Sequence, residues 1–287
     1  MVLLLSTCMS LSYNSVAELR IMKLVTEKFA LQSLMVTLLF ALSTMTASAF
    51  FTPELLIRAE GGDASAQYEL GECYLKGDGI KKNGKNAIKW LTLAADNGVA
   101  KACYDLGYIY YFGIDTKKNP QKSYEWAKKG ADLGNDDCRN LFAVCLNTGT
   151  GIAQNKDEAQ KIFTELADHG HLKACLNLAA EYYNSKDYPL ALKYLHPVVE
   201  SGDPVAQYVL GEMYMYGRGV EVDEAKAALL YKMAADQSYA DAQFELGNCY
   251  FMGYGVGKSL SLARKYWNRA ANQGHKEAAR QIYDTNY

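Results

Sequence analysis

The chain has 287 residues and a formal net charge of -2, and 49% of its residues are hydrophobic, as is usual for a globular protein. Because its 30 Lys and Arg residues do not outnumber its 32 Asp and Glu residues, the composition argues against nucleic acid as a principal partner. Only five prolines are present, and no Ser/Gly/Pro-rich stretch marks a flexible linker.

Residues 22–49 have the layout of a cleaved secretory signal peptide. Two lysines give a positively charged start, residues 29–42 are mostly apolar, and Ala47 and Ala49 supply small side chains before a cleavage site. The apolar run is short for a membrane span and is not followed by Lys or Arg. We therefore expect cleavage after Ala49 and a periplasmic or secreted mature protein without a stable membrane span. Retention as an anchor helix is the alternative.

The segment 1–49 is accordingly assigned to the signal region, with the true translation start at Met22. A signal peptide that begins at Met22 has normal length, and residues 1–21 add nothing that such a signal needs. N-terminal sequencing of the precursor tests this interpretation, because a precursor that carries Met1 would refute it.

After the signal region, one pattern recurs about every 36 residues. The six units are 64–99, 100–135, 136–171, 172–203, 204–239 and 240–275. In each unit the third position is Ala or Cys, the seventh is Leu or Phe, the eighth is Gly or Ala, and the eleventh is Tyr or Leu. These spacings place the four residues on one face of a helix, which we call helix A. Five of the six A helices are expected to end at a glycine, namely Gly77, Gly113, Gly149, Gly217 and Gly253.

A second apolar stripe follows about ten residues later and predicts a helix B in each unit. Its twenty-fourth position is Ala or Ser, and a large residue follows three positions on: Trp90, Trp126, Ile162, Tyr194, Leu230 and Tyr266. We expect the small residue at position eight to let helix A approach helix B opposite position twenty-four. Since such a hairpin cannot cover its own apolar face, the units should stack into an α-solenoid.

These residues resemble the Sel-1-like repeat family, which is related to the tetratricopeptide repeats. The family pattern is A-x-x-x-L-G-x-x-Y-x-x-G-x-G-V, followed after a short gap by K-A-x-x-W-x-x-x-A-A-x-x-G. Residues 240–275 match it almost throughout, and the resemblance covers 64–275. It implies an all-α fold, a right-handed α-α solenoid of about six helical-hairpin repeats. It also implies an adaptor role at the cell envelope, in signalling or in host contact.

The segments on either side of the repeats are expected to cap the solenoid. Thr52-Pro53-Glu54 has the pattern of an N-cap, a first helical proline and an acid in the first turn, and predicts a capping helix within 50–63. Residues 276–287 predict a C-terminal capping helix with a polar outer face. The fourth unit is four residues short and lacks Gly-x-Gly at 184–189, so we expect a change of superhelix curvature there.

No enzyme motif is present: HExxH, Gly-x-Ser-x-Gly, Walker and EF-hand patterns do not occur. His169 and His171 lie at a predicted turn and lack further metal ligands in the pattern. We expect no catalytic residue, no cofactor and no metal. The alternative that the resemblance implies is a cell-wall or peptidoglycan-associated binding protein, or a β-lactam-interacting enzyme of a secreted, cysteine-rich branch of the family. The Ser-x-x-K motif of such enzymes is absent after residue 49.

Six cysteines follow the signal region: Cys73, Cys103, Cys138, Cys145, Cys175 and Cys249. An even count in an exported protein suggests disulfides. The candidate pairs Cys73–Cys103 and Cys145–Cys175 share their repeat positions, the tenth of one unit and the fourth of the next. Those positions differ by roughly 9 Å of helical rise, whereas a disulfide needs Cα atoms within about 7 Å. Two bridges and a set of buried apolar thiols therefore both stay open.

Helix A side chains that are not needed for packing should line the inner wall of the solenoid. The candidates are Tyr104, Tyr108, Tyr111, Phe112, Tyr183, Glu212, Met215, Tyr216, Asn248, Phe251 and Met252. Aromatic and methionine side chains offer large, adaptable contact areas for a peptide or a helix. We therefore expect an exported, non-enzymatic scaffold that binds a protein or peptide partner of unknown identity through this surface. The alternative is that these side chains are part of the core, and the oligomeric state is left open.

Overall fold

The computed structural model describes residues 50–285, so the signal region, with Met22 and the cleavage site after Ala49, lies outside the described residues. Within 50–285 the chain forms fourteen α-helices and no β-strand. In chain order they are α1 (Pro53–Glu60), α2 (Ala64–Lys76), α3 (Gly84–Asp96), α4 (Ala100–Phe112), α5 (Pro120–Asp132), α6 (Asp136–Thr148), α7 (Lys156–Asp168), α8 (Leu172–Asn184), α9 (Tyr188–Glu200), α10 (Pro204–Tyr216), α11 (Glu224–Asp236), α12 (Ala240–Met252), α13 (Leu260–Asn272) and α14 (Lys276–Asp284). The predicted all-α solenoid is confirmed.

Each even-numbered helix from α2 to α12 is a helix A, and the odd-numbered helix after it is its helix B. The five predicted glycines end α2, α4, α6, α10 and α12, with φ between 67° and 87°. An L-residue with a side chain rarely adopts this left-handed conformation, which turns the chain out of the helix. Helix α8 has no such glycine, and Lys186 takes a φ of 64° instead. No helix within 50–285 combines the length and the apolar character needed to cross a membrane.

Side-chain caps begin α1 and every helix B. The Thr52 hydroxyl accepts a hydrogen bond of 3.1 Å from the Leu55 backbone N–H, as the sequence at the start of α1 predicts. Every helix B also starts with a capping Asn, Asp or Ser side chain at one equivalent place in the repeat: Asn83, Asn119, Asn155, Asp187, Asp223 and Ser259. These caps satisfy backbone donors that the first turn leaves without a partner inside the helix.

The contact made by the small residue at position eight differs in part from the expectation. The carbonyl oxygen at position twenty-four does lie close in repeat 5, at 3.4 Å from a Cβ placed on Gly211. The nearest atoms, however, belong to a large side chain four residues farther along helix B. A Cβ on Gly247 would lie 2.4 Å from the Trp267 ring, and one on Gly211 would lie 2.8 Å from the Tyr231 ring. In repeats 1, 5 and 6 the glycine therefore makes room for a bulky residue at position twenty-eight. In repeat 2, where that position is Ala127, a Cβ on Gly107 would instead lie 2.7 Å from the Leu141 side chain of α6.

At the contact between repeats 2 and 3, a glycine and a cysteine replace the two alanines found at the contact between repeats 1 and 2. The position that holds Ala94 in repeat 1 holds Gly130 in repeat 2, and the residue that follows eight positions later is Ala102 in the first case and Cys138 in the second. A Cβ on Gly130 would lie 2.2 Å from the Cys138 Sγ atom and 2.9 Å from the Cys103 Cβ atom. Because Gly130 has no side chain, it leaves the space that the larger Cys138 side chain occupies.

Gly130→Ala is therefore expected to destabilise the protein by about 1–2 kcal/mol, because the overpacking cost exceeds the gain in helix propensity. The double variant Gly130→Ala/Cys138→Ala should recover most of the loss, since it restores the Ala94/Ala102 pairing of repeat 1. Urea denaturation followed by circular dichroism measures all three free energies of unfolding. Equal losses in the single and double variants would contradict the assignment.

Candidate functional site

A groove on the inner wall is formed by three consecutive A helices, α4, α6 and α8. Its volume is about 480 Å³, and its lining residues are Tyr104, Tyr108, Tyr111, Phe112, Asn140, Leu141, Val144, Lys173, Leu176 and Asn177. Most of the lining side chains are apolar, and we call this surface the aromatic groove. It brings together four of the residues that the sequence singled out, all of them from α4.

Four of the five aromatic rings of α4 form a continuous row. Ring centroids are 6.0 Å apart for Tyr104 and Tyr108, 4.5 Å for Tyr108 and Phe112, and 4.9 Å for Tyr111 and Phe112. Tyr108 is 41% exposed and Phe112 is 48% exposed, although both are large hydrophobic side chains. The row is thus ordered by its own ring contacts while one side stays open to solvent.

Polar side chains border the aromatic groove at one end. The Lys173 ammonium donates hydrogen bonds to the Tyr104 hydroxyl at 3.1 Å and to the Asp137 carboxylate at 2.8 Å, and it lies 4.6 Å from the Tyr104 ring centroid. Partial burial alone would raise the pKa of Asp137, but the hydrogen bond and charge of Lys173 hold it below its ordinary value. Asn177 donates to Asn140 at 3.0 Å. These contacts fix the groups that could orient a bound chain.

The candidates in repeats 5 and 6 form a second patch on α10 and α12, which the structure does not join to the aromatic groove in one pocket. The most exposed members are Tyr216 at 56%, Met252 at 45% and Phe251 at 38%. Glu212, Met215 and Asn248 are half-buried. The Asn248 carbonyl accepts a hydrogen bond of 3.1 Å from the Trp267 indole, so this side chain also has a structural role.

Tyr183 differs from the other candidates because its side chain is already engaged. Its hydroxyl accepts a hydrogen bond from Arg218, and its ring lies 5.9 Å from that of Tyr188 in an edge-on contact. It also packs against the buried cluster of repeats 3 to 5. A partner would therefore meet Tyr108 and Phe112 more directly than Tyr183.

Sequence reasoning missed two half-buried carboxylates on the inner wall, those of Asp105 and Glu245. Burial raises the pKa of Asp105 to about 6, and the hydrogen bond from Tyr68 opposes this increase. Burial also raises the pKa of Glu245, as it does that of Glu212, which was chosen for its position alone. The signal in the sequence was an acidic residue at position six or nine of a repeat, together with a tyrosine at position five of the same or the preceding repeat.

The six cysteines of the described chain are buried. The thiols of Cys103, Cys145 and Cys175 are free, so residues 50–285 contain neither the Cys73–Cys103 nor the Cys145–Cys175 bridge. Burial raises the pKa of Cys145 to about 11 and that of Cys138 to about 12. Since the thiolate is the reactive form, these side chains have the character of packed apolar groups.

The histidines at the predicted turns cap helices. The Nδ1 atom of His171 accepts from the Ala174 backbone N–H at 3.2 Å, and His275 does the same for Ala278. No group of three or more His, Cys, Asp or Glu side chains in residues 50–285 is arranged to hold a metal ion.

The stacked hairpins and the open inner wall define the class of protein as an α-solenoid, a fold that generally binds other proteins. A family model of the Sel1 repeat matches residues 64–99, 100–135, 137–171, 172–203, 204–239 and 240–275. These matches cover well over half of the chain. The chain belongs to the Sel1 repeat family.

Solved structures and one curated protein resemble this chain. A Sel1 repeat protein from Oxalobacter formigenes has a TM-score of 0.65 at 28% identity, over 77% of this chain and 88% of that one. A protective antigen present in uropathogenic Escherichia coli strains, with the same repeat fold, has a TM-score of 0.60 at 25% identity, over 79% of this chain and 50% of that one. Chitin synthase regulatory factor 2 of Schizosaccharomyces pombe is 31% identical over an alignment of 124 residues, and the match covers 39% of this chain and 24% of that protein. This chain thus spans only about a quarter of the curated relative and half of the antigen.

Proposed function

We propose that this chain is an exported, non-enzymatic scaffold that binds a protein or peptide partner through the aromatic groove. The observation that carries the proposal is the open row of rings on α4, in which Tyr108 and Phe112 keep 41% and 48% of their surface exposed. A partner side chain that covered them would remove apolar surface from water at little cost in side-chain entropy.

The size and border of the groove support an extended or helical peptide as the partner. A volume of about 480 Å³ accommodates a few side chains rather than a large folded surface. Asn140, Lys173 and Asn177 supply polar groups at its edge, where backbone groups of a bound peptide would find hydrogen-bond partners. Recognition by a few apolar anchors with a polar border is common at protein interfaces.

Export is supported by residues 22–49, in which a charged start, an apolar run and small residues at 47 and 49 follow one another. The similarity to a protective antigen of Escherichia coli supports a location at or beyond the cell envelope. N-terminal sequencing of the mature protein tests this part of the proposal, since a mature protein that begins at Phe50 is the expected result.

A peptide-binding experiment tests the function itself. The full chain is used to select binders from a displayed library of random peptides, and each selected peptide is measured on Tyr108→Ala/Phe112→Ala. We expect at least a 10-fold loss of affinity, with a melting temperature within about 5 °C of the parent because the two rings are half exposed.

A matched control removes two exposed apolar side chains with the same spacing on helix B. Leu229 and Met233 of α11 are 58% and 42% exposed. Leu229→Ala/Met233→Ala should leave affinity within about twofold. The proposal is wrong if no peptide is enriched, or if both double variants bind equally well. A large fall in melting temperature for the groove variant alone would show that the rings belong to the core.

A further inference from the structure

Two pairs of carboxylates occupy the same places on the inner wall, near opposite ends of the solenoid. Position nine is Glu72 in repeat 1 and Glu212 in repeat 5, and position six of the following repeat is Asp105 or Glu245. In both pairs a tyrosine at position five hydrogen-bonds one carboxylate, and the two carboxylates are close enough to repel each other. The chain therefore contains two versions of one arrangement, which can be compared directly.

The first version contains its own cations. The Lys76 ammonium lies 2.6 Å from the Glu72 carboxylate. The charges of Lys76 and Lys101 also act on Asp105, where they oppose the increase in pKa that burial causes. Positive charge from position thirteen of one repeat and position two of the next thus stabilises the acidic pair.

The second version lacks those cations. The residues equivalent to Lys76 and Lys101 are Tyr216 and Asp241. Within residues 50–285, neither Glu212 nor Glu245 forms an ion pair. Burial and then the charge of Glu245 raise the pKa of Glu212. This acidic pair is held on the inner wall without the two lysine charges that its counterpart receives.

The nearby basic residues are committed elsewhere. Burial raises the pKa of Glu245, and the Asn248 hydrogen bond and then the charge of His275 oppose the increase. The His275 ring, however, lies 3.4 Å from the Asp241 carboxylate and caps α14. Arg218 binds the Tyr183 hydroxyl and stacks 5.0 Å from the centroid of the Tyr216 ring. The Arg218 contact shows in addition that the ring of Tyr216 accepts a cation on its face.

A buried hydroxyl beside this pair has no hydrogen-bond partner in the described part of the chain. Tyr231 is 1% exposed, and its ring reaches through the space above Gly211 toward the inner wall. Burial raises the pKa of this hydroxyl, and the charges of Glu245 and Glu212 raise it further. A buried polar group without a partner is rare in native proteins and points to a group that arrives on binding.

We propose that Glu212 and Glu245 bind a lysine or arginine side chain of the peptide partner. The cationic group donates hydrogen bonds to the two carboxylates, and the Tyr231 oxygen accepts another. The ring of Tyr208, 5.8 Å from that of Tyr231, and the exposed ring of Tyr216 flank it. This assignment rests on the proposed function and specifies that the peptide partner carries a basic side chain. The contact of Lys76 with Glu72 in repeat 1 shows how such a side chain binds an equivalent carboxylate.

The test uses the peptides that the full chain selects from the random library. Each Lys or Arg in a selected synthetic peptide is replaced by norleucine, which keeps the apolar stem and removes the charge. Affinities are measured on the parent, on Glu212→Gln/Glu245→Gln and on the control Glu200→Gln/Glu221→Gln, which removes two exposed carboxylates. One basic position should lose at least 10-fold on the parent and the control, and less than twofold on Glu212→Gln/Glu245→Gln.

A third variant places the missing cation inside the protein. Tyr216→Lys reproduces the arrangement of Lys76 in repeat 1 and should compete with the peptide for the two carboxylates. We expect it to reduce the effect of the norleucine replacement to less than twofold, as the double glutamine variant does.

The possible outcomes separate this inference from the proposed function. Selected peptides whose binding depends on Tyr108 and Phe112, but on no basic residue, would overturn the cation site and leave the aromatic groove standing. A norleucine effect that persists at full size on Glu212→Gln/Glu245→Gln would also overturn it. If no peptide is enriched, the proposed function and the cation site are both wrong.

Discussion

Replacing Trp267 by alanine is expected to lower the free energy of unfolding by about 3–5 kcal/mol. The side chain is fully buried, and its ring fills the space that Gly247 leaves on α12. Its indole N–H also donates to the Asn248 side chain. Alanine would leave a cavity between α12 and α13 and remove the donor from a half-buried amide. Urea denaturation followed by far-ultraviolet circular dichroism measures the loss.

Trp126→Ala is the matched control for this prediction. Trp126 lies at position twenty-seven of repeat 2, is half-buried, and has the Lys129 ammonium 5.0 Å from its ring centroid. We expect its replacement to cost only about 1–2 kcal/mol, since the ring keeps contact with water. Equal losses of stability for Trp126→Ala and Trp267→Ala would contradict the conclusion that the Trp267 side chain at position twenty-eight is packed more fully into the core than the Trp126 side chain at position twenty-seven.

Asp105→Asn is expected to stabilise the protein by about 2 kcal/mol at pH 7, which is unusual for a single substitution. Burial raises the pKa of Asp105 to about 6, so the ionised carboxylate is less stable in the folded protein than in the unfolded chain. The expected gain in the free energy of unfolding is smaller than the full pKa shift would give, because the Asp105 side chain keeps some contact with water. Asparagine removes the charge and keeps the oxygen that faces the Tyr68 hydroxyl.

The pH dependence of this gain has a definite sign. Below about pH 4 the carboxyl is protonated in both states, so the parent and the Asn variant should be equally stable with respect to this group. Between pH 4 and pH 6 the folded parent holds a proton that the unfolded chain has released, so its stability falls relative to the variant as pH rises. Above pH 6 the difference should be constant.

Glu125→Gln is the control for the pH series, because the Glu125 side chain is exposed and the substitution removes the same charge. Its effect should stay within about 0.5 kcal/mol at every pH. A gain for Asp105→Asn that is the same at pH 4 and pH 7, or a loss at pH 7, would contradict the assigned burial of the carboxylate.

The helices and their ends could be predicted because the signals for them are local. A glycine that follows an apolar stripe ends the helix at the residue before it, and this effect does not depend on distant parts of the chain. The Thr52-Pro53 pattern similarly predicts the start of α1, and in the structure α1 begins at Pro53 with Thr52 as its N-cap. Five of the six units end helix A with such a glycine, all six repeat the apolar stripes in register, and this repetition reveals the solenoid.

The candidate site was only partly accessible to this reasoning. The repeat positions selected Tyr104, Tyr108, Tyr111 and Phe112, and the structure places these rings in one groove. The same reasoning treated Tyr183 as their equivalent, but Arg218 and the neighbouring repeat engage it. A position in the repeat gives the direction of a side chain, whereas its exposure depends on what the next repeat presents to it.

What the sequence by itself determined is the family, the order of the helices and the face that each helix buries, since these depend on residue spacing within one repeat. Only the tertiary structure decided that Gly130 makes room for Cys138, that Trp267 fills the space at Gly247, and that the charge of Glu245 acts on Glu212. Each of these contacts joins different helices. Volume, charge and access to water at such contacts depend on the distance between helices, which no single stretch of the sequence contains.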